Sequence, residues 1–386
     1  MSIWAELSPE ALPGLARVRR LLERLGHPEA GLTAVHVAGA HGKTSVIALL
    51  ESVLRAAGVP AGALTSSDPE RPWEAARLAG EPVARERLEA LVARAVRPWA
   101  GFADVGRPTP QEAVFAAALA HFAAAGAALV LLERSLGGPW DPTNCVRPQL
   151  SLLTHVAPPE NAEWEVRGLA QPGVPLLTTA ADEALVALAE ACRATGAALS
   201  LVDPEDVELL ELRWERAVWR SRSDPFSLGP FETPFLGAYQ APNLAVALAA
   251  CAELLGGLGL SRRAVQEGLA QVSLPGRFEL VHRAPWVILD AAPSAAAAQA
   301  LHRALERLPY LAGRRHLLLA HPSATLAQAM LATLRPAFAW AREVAPAELP
   351  GAAQRLASRL GEEDLLLVVA PFPVLREVRR AFAAAP

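Results

Sequence analysis

"VHVAGAHGKTSVIALL", residues 35–50, decides how the rest of the chain is read. A short β-prone apolar run leads into Gly39, and an apolar run of helical character follows Thr44. Between them lies GAHGKTS, residues 39–45. A glycine loop between a buried strand and a helix gathers backbone N–H groups into one concavity, and the helix N-terminus adds positive potential there. Glycine lets the main chain come close to phosphate oxygens. Lys43 is the only lysine among the 36 Lys and Arg residues. Its ammonium is a compact point charge that reaches β- and γ-phosphates, where arginine's planar fork does not fit the same space. A lysine kept at this one position therefore points to a bound nucleotide, and the hydroxyl of Thr44 or Ser45 to Mg2+. The spacing is G-x-x-G-K-[TS], shorter than the common G-x-x-x-x-G-K-[ST], because position 37 is valine. Gly39, His41, Gly42, Lys43, Thr44 and Ser45 are thus the first candidate nucleotide-binding residues.

The composition sets the bounds around this loop. At 386 residues the chain is long enough for two domains. A hydrophobic fraction of 52% with 20% charged residues describes a packed protein. A net charge of −4 gives no electrostatic footprint for a nucleic-acid partner. Cys145, Cys192 and Cys251 fit neither a zinc spacing nor a disulfide framework, so a reducing cytoplasm is the expected compartment. The N-terminal stretch lacks the basic start and apolar core of a signal peptide. The Ala/Leu runs are broken by Arg, Glu, Gly or Pro before they reach membrane-spanning length.

Strand-like and helix-like stretches alternate along the chain. Residues 13–26 read as an amphipathic helix stopped by Gly26, "TAVHVAG" as a buried strand, and 43–57 as the helix after the loop. "AGALTS", "AALVLLE" (127–133), "QLSLLTHV" (149–156) and "ALSLV" read as strands, with helices near 84–97, 110–125 and over "DEALVALAEACRATG". Such alternation predicts an α/β fold with a mostly parallel sheet. Residues 207–223 alternate with period two and predict an antiparallel hairpin. After "SLPGRFE" the pattern restarts with "PWVILDA", "RRHLLLA" and "DLLLVVA" as strands among helices at 294–308, 324–334 and 373–384. This divides the chain into a nucleotide-binding domain over 1–274, a linker over 275–284 and a smaller Rossmann-like α/β domain over 285–386. The Pro/Trp-rich pieces at 68–82 and 158–175 read as surface loops.

The loop and its sequels resemble the folylpolyglutamate synthase/dihydrofolate synthase family, the folate branch of the Mur ligase superfamily. Residues 14–45 look like the family's opening segment, whose loop usually reads GTNGKGS. "ERSLGGPWDPTN" (133–144) is similar to EVGLGGRLDATN, "LGAYQAPNLAVAL" to GxHQxxNAAxAL, "PGRFE" matches as it stands, and "VILDAAPSA" sits where the family has VILDGAHNP. The resemblance implies a P-loop Mur-ligase-type domain followed by a smaller α/β domain, and a monomer that works by hinging the two. It implies an ATP-dependent enzyme that joins glutamate to a folate or dihydropteroate through an acyl phosphate, with Mg2+. In that scheme Lys43 and the loop backbone hold the β- and γ-phosphates. Ser66 and Glu133 match two of the family's metal ligands, Thr44 or Ser45 would sit at the phosphates or the metal, and a strand-end carboxylate such as Glu133 suits a hard cation. Gln240, Asn243, Arg277 and Asp290 match nucleotide-facing positions.

The departures from the family gather at positions of chemistry. Its third metal ligand, a histidine, is replaced by Glu160, whose carboxylate serves a hard cation as well. Its carbamylated lysine has no counterpart, since Lys43 is the only lysine. Tyr239 stands for the histidine of the HQ pair, Pro293 and Ser294 for a His-Asn pair, and His41 for the loop asparagine. Three readings stay open at this point. One is a divergent ligase; another is a nucleotide-binding paralogue, degenerate in catalysis, with a regulatory or scaffolding role; the third is a ligase acting on a non-folate acid, suggested by the altered "TPQEAVF" (109–115).

Overall fold

The structure is a computed structural model that describes residues 3–8, 14–66, 71–156 and 162–383. The chain divides into two compact units: residues 1–207, 221–229 and 242–269 form one, and residues 208–220, 230–241 and 270–386 the other. The second unit therefore takes in two segments, 208–220 and 230–241, that precede the expected domain boundary in sequence.

The first unit is built on an eight-stranded sheet. Its strands are β1 (Ala34–Ala38), β2 (Ala61–Leu64), β3 (Ala76–Leu78), β4 (Glu81–Pro82), β5 (Leu129–Glu133), β6 (Pro148–Leu153), β7 (Pro175–Thr178) and β8 (Ala198–Leu201). Their order is β4-β3-β2-β5-β1-β6-β7-β8. Every residue of β1, β2 and β5 is buried. Continuous apolar runs of this kind belong to parallel strands covered by helices on both faces. The helices are α1 (Leu15–Arg24), α2 (Lys43–Ala56), α3 (Arg85–Val96), α4 (Pro110–Ala124), α5 (Ala162–Val166), α6 (Asp182–Thr195), α7 (Ala241–Leu258) and α8 (Arg262–Gln271). α4 starts at a capping box in which Thr109 accepts from the Glu112 amide and Glu112 accepts from the Thr109 amide.

The predicted loop at 68–82 needs correction: β3 and β4 form an antiparallel hairpin within it. Its turn places Ala79 at φ 52° and Gly80 at φ 87°. Both central residues are left-handed, as in a two-residue hairpin turn, but alanine hides the usual Asn-Gly signal. Pro82 is tolerated because β4 is an edge strand.

The second unit carries a three-stranded sheet of β9 (Val207–Leu212), β10 (Ala217–Ser221) and β11 (Phe231–Thr233), and a five-stranded sheet. The turn of the predicted hairpin is closed by the Arg213 amide donating to the Arg216 carbonyl at 2.8 Å. The five strands are β12 (Glu279–Arg283), β13 (Trp286–Asp290), β14 (Arg315–Leu319), β15 (Trp340–Glu343) and β16 (Leu365–Val369), ordered β12-β13-β16-β14-β15. Four helices cover it: α9 (Ala295–Glu306), α10 (Ala324–Leu334), α11 (Leu349–Ala357) and α12 (Phe372–Ala383). β13, β16, β14 and β15 are parallel, while β12 is antiparallel to β13. Part of the expected linker, residues 279–283, is thus an edge strand of this sheet. No helix of the described residues is long and apolar enough to cross a membrane.

Candidate active site

Strand order assembles the site. β2, β5, β1 and β6 are neighbours in the first unit, and β2, β1 and β6 each run parallel to their neighbours in this set. Their carboxyl ends therefore lie side by side, where open α/β sheets present ligand-binding loops. Ser66 follows β2, Glu133 ends β5, residues 39–42 follow β1, and Thr154 and His155 follow β6.

The loop geometry depends on two glycines. Gly39 has φ 124°, and a Cβ there would lie 2.3 Å from Thr154 Oγ1. Gly42 has φ 91° and caps α2, and its Cβ would lie 2.2 Å from Asn243 Oδ1. Only glycine, which has no Cβ, tolerates this conformation together with so close an approach. Thr154 fixes the loop from the neighbouring strand. Its hydroxyl donates toward the His41 carbonyl at 2.6 Å and lies 3.0 Å from the Ala38 carbonyl. Lys43 begins α2, and its Nζ donates to the Gly39 carbonyl at 2.6 Å. The ammonium thus arches back over the loop that its charge would share with a phosphate.

Three residues expected as metal ligands meet at one carboxylate. Ser66 Oγ donates to Glu133 Oε1 at 2.8 Å, and Thr44 Oγ1 donates to Glu133 Oε2 at 3.1 Å. The Ser66 amide adds a third bond at 3.3 Å. Glu133 is 8% exposed, and its partners among the described residues are these hydroxyls and this amide, with no cationic side chain. A nearly buried carboxylate without a countercharge, surrounded by hydroxyl oxygens, is a donor set that fits Mg2+. Ser45 is buried in α2 and takes no part in these bonds to Glu133. Glu160 lies outside the described residues.

The loop after Glu133 is braced by two side chains that the sequence did not single out. Asp141 is fully buried and accepts from the amides of Leu136, Gly137 and Thr143 and from the Thr143 hydroxyl. Arg134 is 1% exposed and donates to Asn144 Oδ1 and to the carbonyls of Gly138 and Arg167. Burial lowers its pKa, with Asp141 and Glu165 acting in the other direction. A strand-end arginine reads as a solvated charge, and nothing in the local sequence marks Arg134 to turn inward.

Gln240, Arg277 and Asp290 belong to the second unit. Gln240 is 1% exposed. Asp290 ends β13, and its Oδ2 accepts from the Phe278 amide at 2.8 Å and from the Tyr239 hydroxyl at 3.2 Å. Burial pushes the Asp290 pKa up to about 6, against the pull of Arg277 and these donors. Burial, and then the facing Asp290 carboxylate, raise the Tyr239 phenol well above its usual range. Arg277 donates to the Ala291 carbonyl at 3.1 Å and lines a cavity of about 460 Å3 with Arg216, His282 and Arg283. Asn243, by contrast, sits in the first unit against Gly42. The sequence-derived set thus falls into two clusters, one in each unit.

No family model matches the chain. Curated relatives do. The dihydrofolate synthase/folylpolyglutamate synthase of Bacillus subtilis is 32% identical over 298 residues, covering 72% of this chain and 69% of the relative. The protein of the same name from Escherichia coli is 30% identical over 310 residues, covering 77% and 69%. Among solved structures, the apo form of L. casei FPGS superposes with a TM-score of 0.83 at 23% identity, covering 98% of this chain and 97% of that one. An FPGS–AMPPCP–folate complex gives a TM-score of 0.79 at 23% identity. These structural likenesses establish the two-domain Mur-ligase-type α/β fold, and the sequence identities go further: the chain belongs to the dihydrofolate synthase/folylpolyglutamate synthase family.

Proposed function

We propose that this chain is an ATP-dependent ligase that joins L-glutamate to folate or dihydropteroate through an amide bond. The terminal phosphoryl group of ATP passes to the acceptor's carboxylate, giving an acyl phosphate and ADP. The glutamate amine then attacks the acyl carbon, and inorganic phosphate leaves. The observation that carries this reading in the structure is the meeting of Thr44, Ser66 and Glu133 beside the Lys43 loop.

In this scheme the amides of residues 39–44 and the α2 N-terminus hold the β- and γ-phosphates, and Lys43 leaves the Gly39 carbonyl to neutralise them. Glu133, with the Thr44 and Ser66 hydroxyls and Glu160, would hold Mg2+. When bound there, the cation screens the charge of the phosphoryl group in transfer. Asn243, which lies close beside Gly42, keeps with Gln240, Arg277 and Asp290 the nucleotide-facing role that the family resemblance implies. The proposal includes a monomer acting in the cytoplasm.

The experiment is turnover with Mg-ATP, L-glutamate and folate or dihydropteroate, following ADP and the mass of the acceptor. The expected result is ADP release only when both co-substrates are present, with the acceptor heavier by one glutamyl residue, and loss of both signals in Lys43→Ala. Nucleotide binding without any adduct across both acceptors would instead favour the degenerate paralogue.

A further inference from the structure

We propose that His41 and His155 form a two-imidazole clamp on the terminal phosphoryl group of the nucleotide, so that the site discriminates a triphosphate from a diphosphate. The proposal rests on the reading of residues 39–45 as the nucleotide loop. His41 lies inside that loop, two residues before Lys43. His155 lies two residues past β6, the strand beside β1. The two residues are joined by an isolated antiparallel bridge. The Ala40 amide donates to the His155 carbonyl at 2.7 Å, and Thr154 Oγ1 to the His41 carbonyl at 2.6 Å. The backbones on which both side chains stand are therefore fixed to each other.

The rings follow that backbone. They stack with centroids 6.0 Å apart and planes 15° apart. Both residues are exposed although every neighbour in β1 and most of β6 is buried. A structural histidine at a strand end has no need of a partner ring on the phosphate loop. Two imidazoles offer N–H donors that bond strongly to an anionic phosphoryl oxygen. The helix amides and Lys43 are shared between the β- and γ-phosphates, so the two added donors fall to the γ-phosphate, the one that a diphosphate lacks. Nothing in this arrangement requires the acceptor or glutamate, and so it can be tested apart from ligase turnover.

The test is calorimetric titration, with Mg2+, of ADP and of AMPPCP into wild type, His41→Ala, His155→Ala and the double variant, with melting temperatures recorded. AMPPCP affinity should fall about tenfold or more in each single variant, while ADP affinity changes by less than about twofold. The double variant should lose less than the product of the single effects, because neither ring clamps fully without the other. His41→Gln and His155→Gln keep an N–H donor and should recover part of the AMPPCP affinity, which separates a phosphate contact from a packing role. Equal losses for ADP and AMPPCP, or unchanged AMPPCP affinity in folded variants, would overturn the clamp and leave the ligase reading standing. Failure of the wild type to bind either nucleotide would overturn both.

Discussion

Glu133 organises the first cluster by charge more than by shape, since its two oxygens accept from Thr44, from the Ser66 hydroxyl and from the Ser66 amide. Glu133→Gln keeps the size of the side chain and removes the negative charge. Turnover should drop by about 10²–10³, as for the loss of one preorganised electrostatic group. Mg2+ should also saturate at much higher concentration, while nucleotide binding without Mg2+ persists. A Mg2+ titration of ADP release checks this, and an unchanged Mg2+ midpoint would remove Glu133 from the metal site. Lys43 and Thr44 could be singled out from the glycine loop itself, whereas Ser66 and Glu133 were named only through the family resemblance; the structure brings Thr44, Ser66 and Glu133 together, and their metal role stays part of the proposal. His36 reads as a packed residue of an apolar strand and is fully buried in β1; what the sequence does not show is that, among the described residues, neither ring nitrogen has a hydrogen-bond partner. An unpaired buried polar group costs roughly 1–3 kcal/mol. His36→Leu should therefore raise the denaturant midpoint by a stabilisation of about 1 kcal/mol at neutral pH, provided the leucine fills the same space.

Among the elements, α1, α2, α4 and α6 and the buried strands β1 and β5 lie within two residues of the expected bounds, while β6 ends three residues before its expected end. The short edge elements were not readable. β4 has two residues and β11 three, too few for a period to register, and β15 is the largely exposed edge of its sheet. The membership of segments 208–220 and 230–241 in the second unit is set by packing that no local pattern encodes. Packing between helices is just as hidden in "EGLAQ". Gly268 of α8 lies against α2, where an added Cβ would stand 2.4 Å from Val53 Cα and 2.9 Å from the Ser52 carbonyl oxygen. Ser52 Oγ donates to the Gly268 carbonyl at 2.8 Å across the same contact. Gly268→Ala must push two backbones apart, at a cost of about 1–3 kcal/mol. Gly257 in α7 has open space around it, and Gly257→Ala should stabilise by roughly 0.5–1 kcal/mol through helix propensity. Urea titrations of the two variants should shift in opposite directions, and a stable Gly268→Ala protein would deny the close α2–α8 approach.

At the scale of the whole molecule, the two units hold buried titratable groups of opposite sign. In the first unit, burial and then Arg134 lower the His36 pKa from 6.5 to about 3. The unfolded chain takes up a proton near pH 6.5 that the native unit refuses until about pH 3, so stability is lost as pH falls through that window. His121 in the same unit is shifted the same way, by burial and Arg87. In the second unit, Asp290 is raised from 3.8 to about 6. There the native state keeps a proton that the unfolded chain releases, so stability is lost as pH rises from about 4 to about 6. Burial raises Glu279 in the same sense, whereas Asp364 and His316 are lowered and oppose it. Each fully buried group changes stability by at most about 1.4 kcal/mol per pH unit within its window. Differences between variant and wild type isolate one group from the others. In calorimetric scans from pH 4 to pH 7, the gain from His36→Leu should grow as pH falls below about 6.5. The gain from Asp290→Asn should grow as pH rises and level off above about 6. The two should act on different transitions if the units unfold separately. Gains that do not vary with pH would show that neither group keeps its native protonation state through the window, and the assignment of opposite pH responses to the two units would fall.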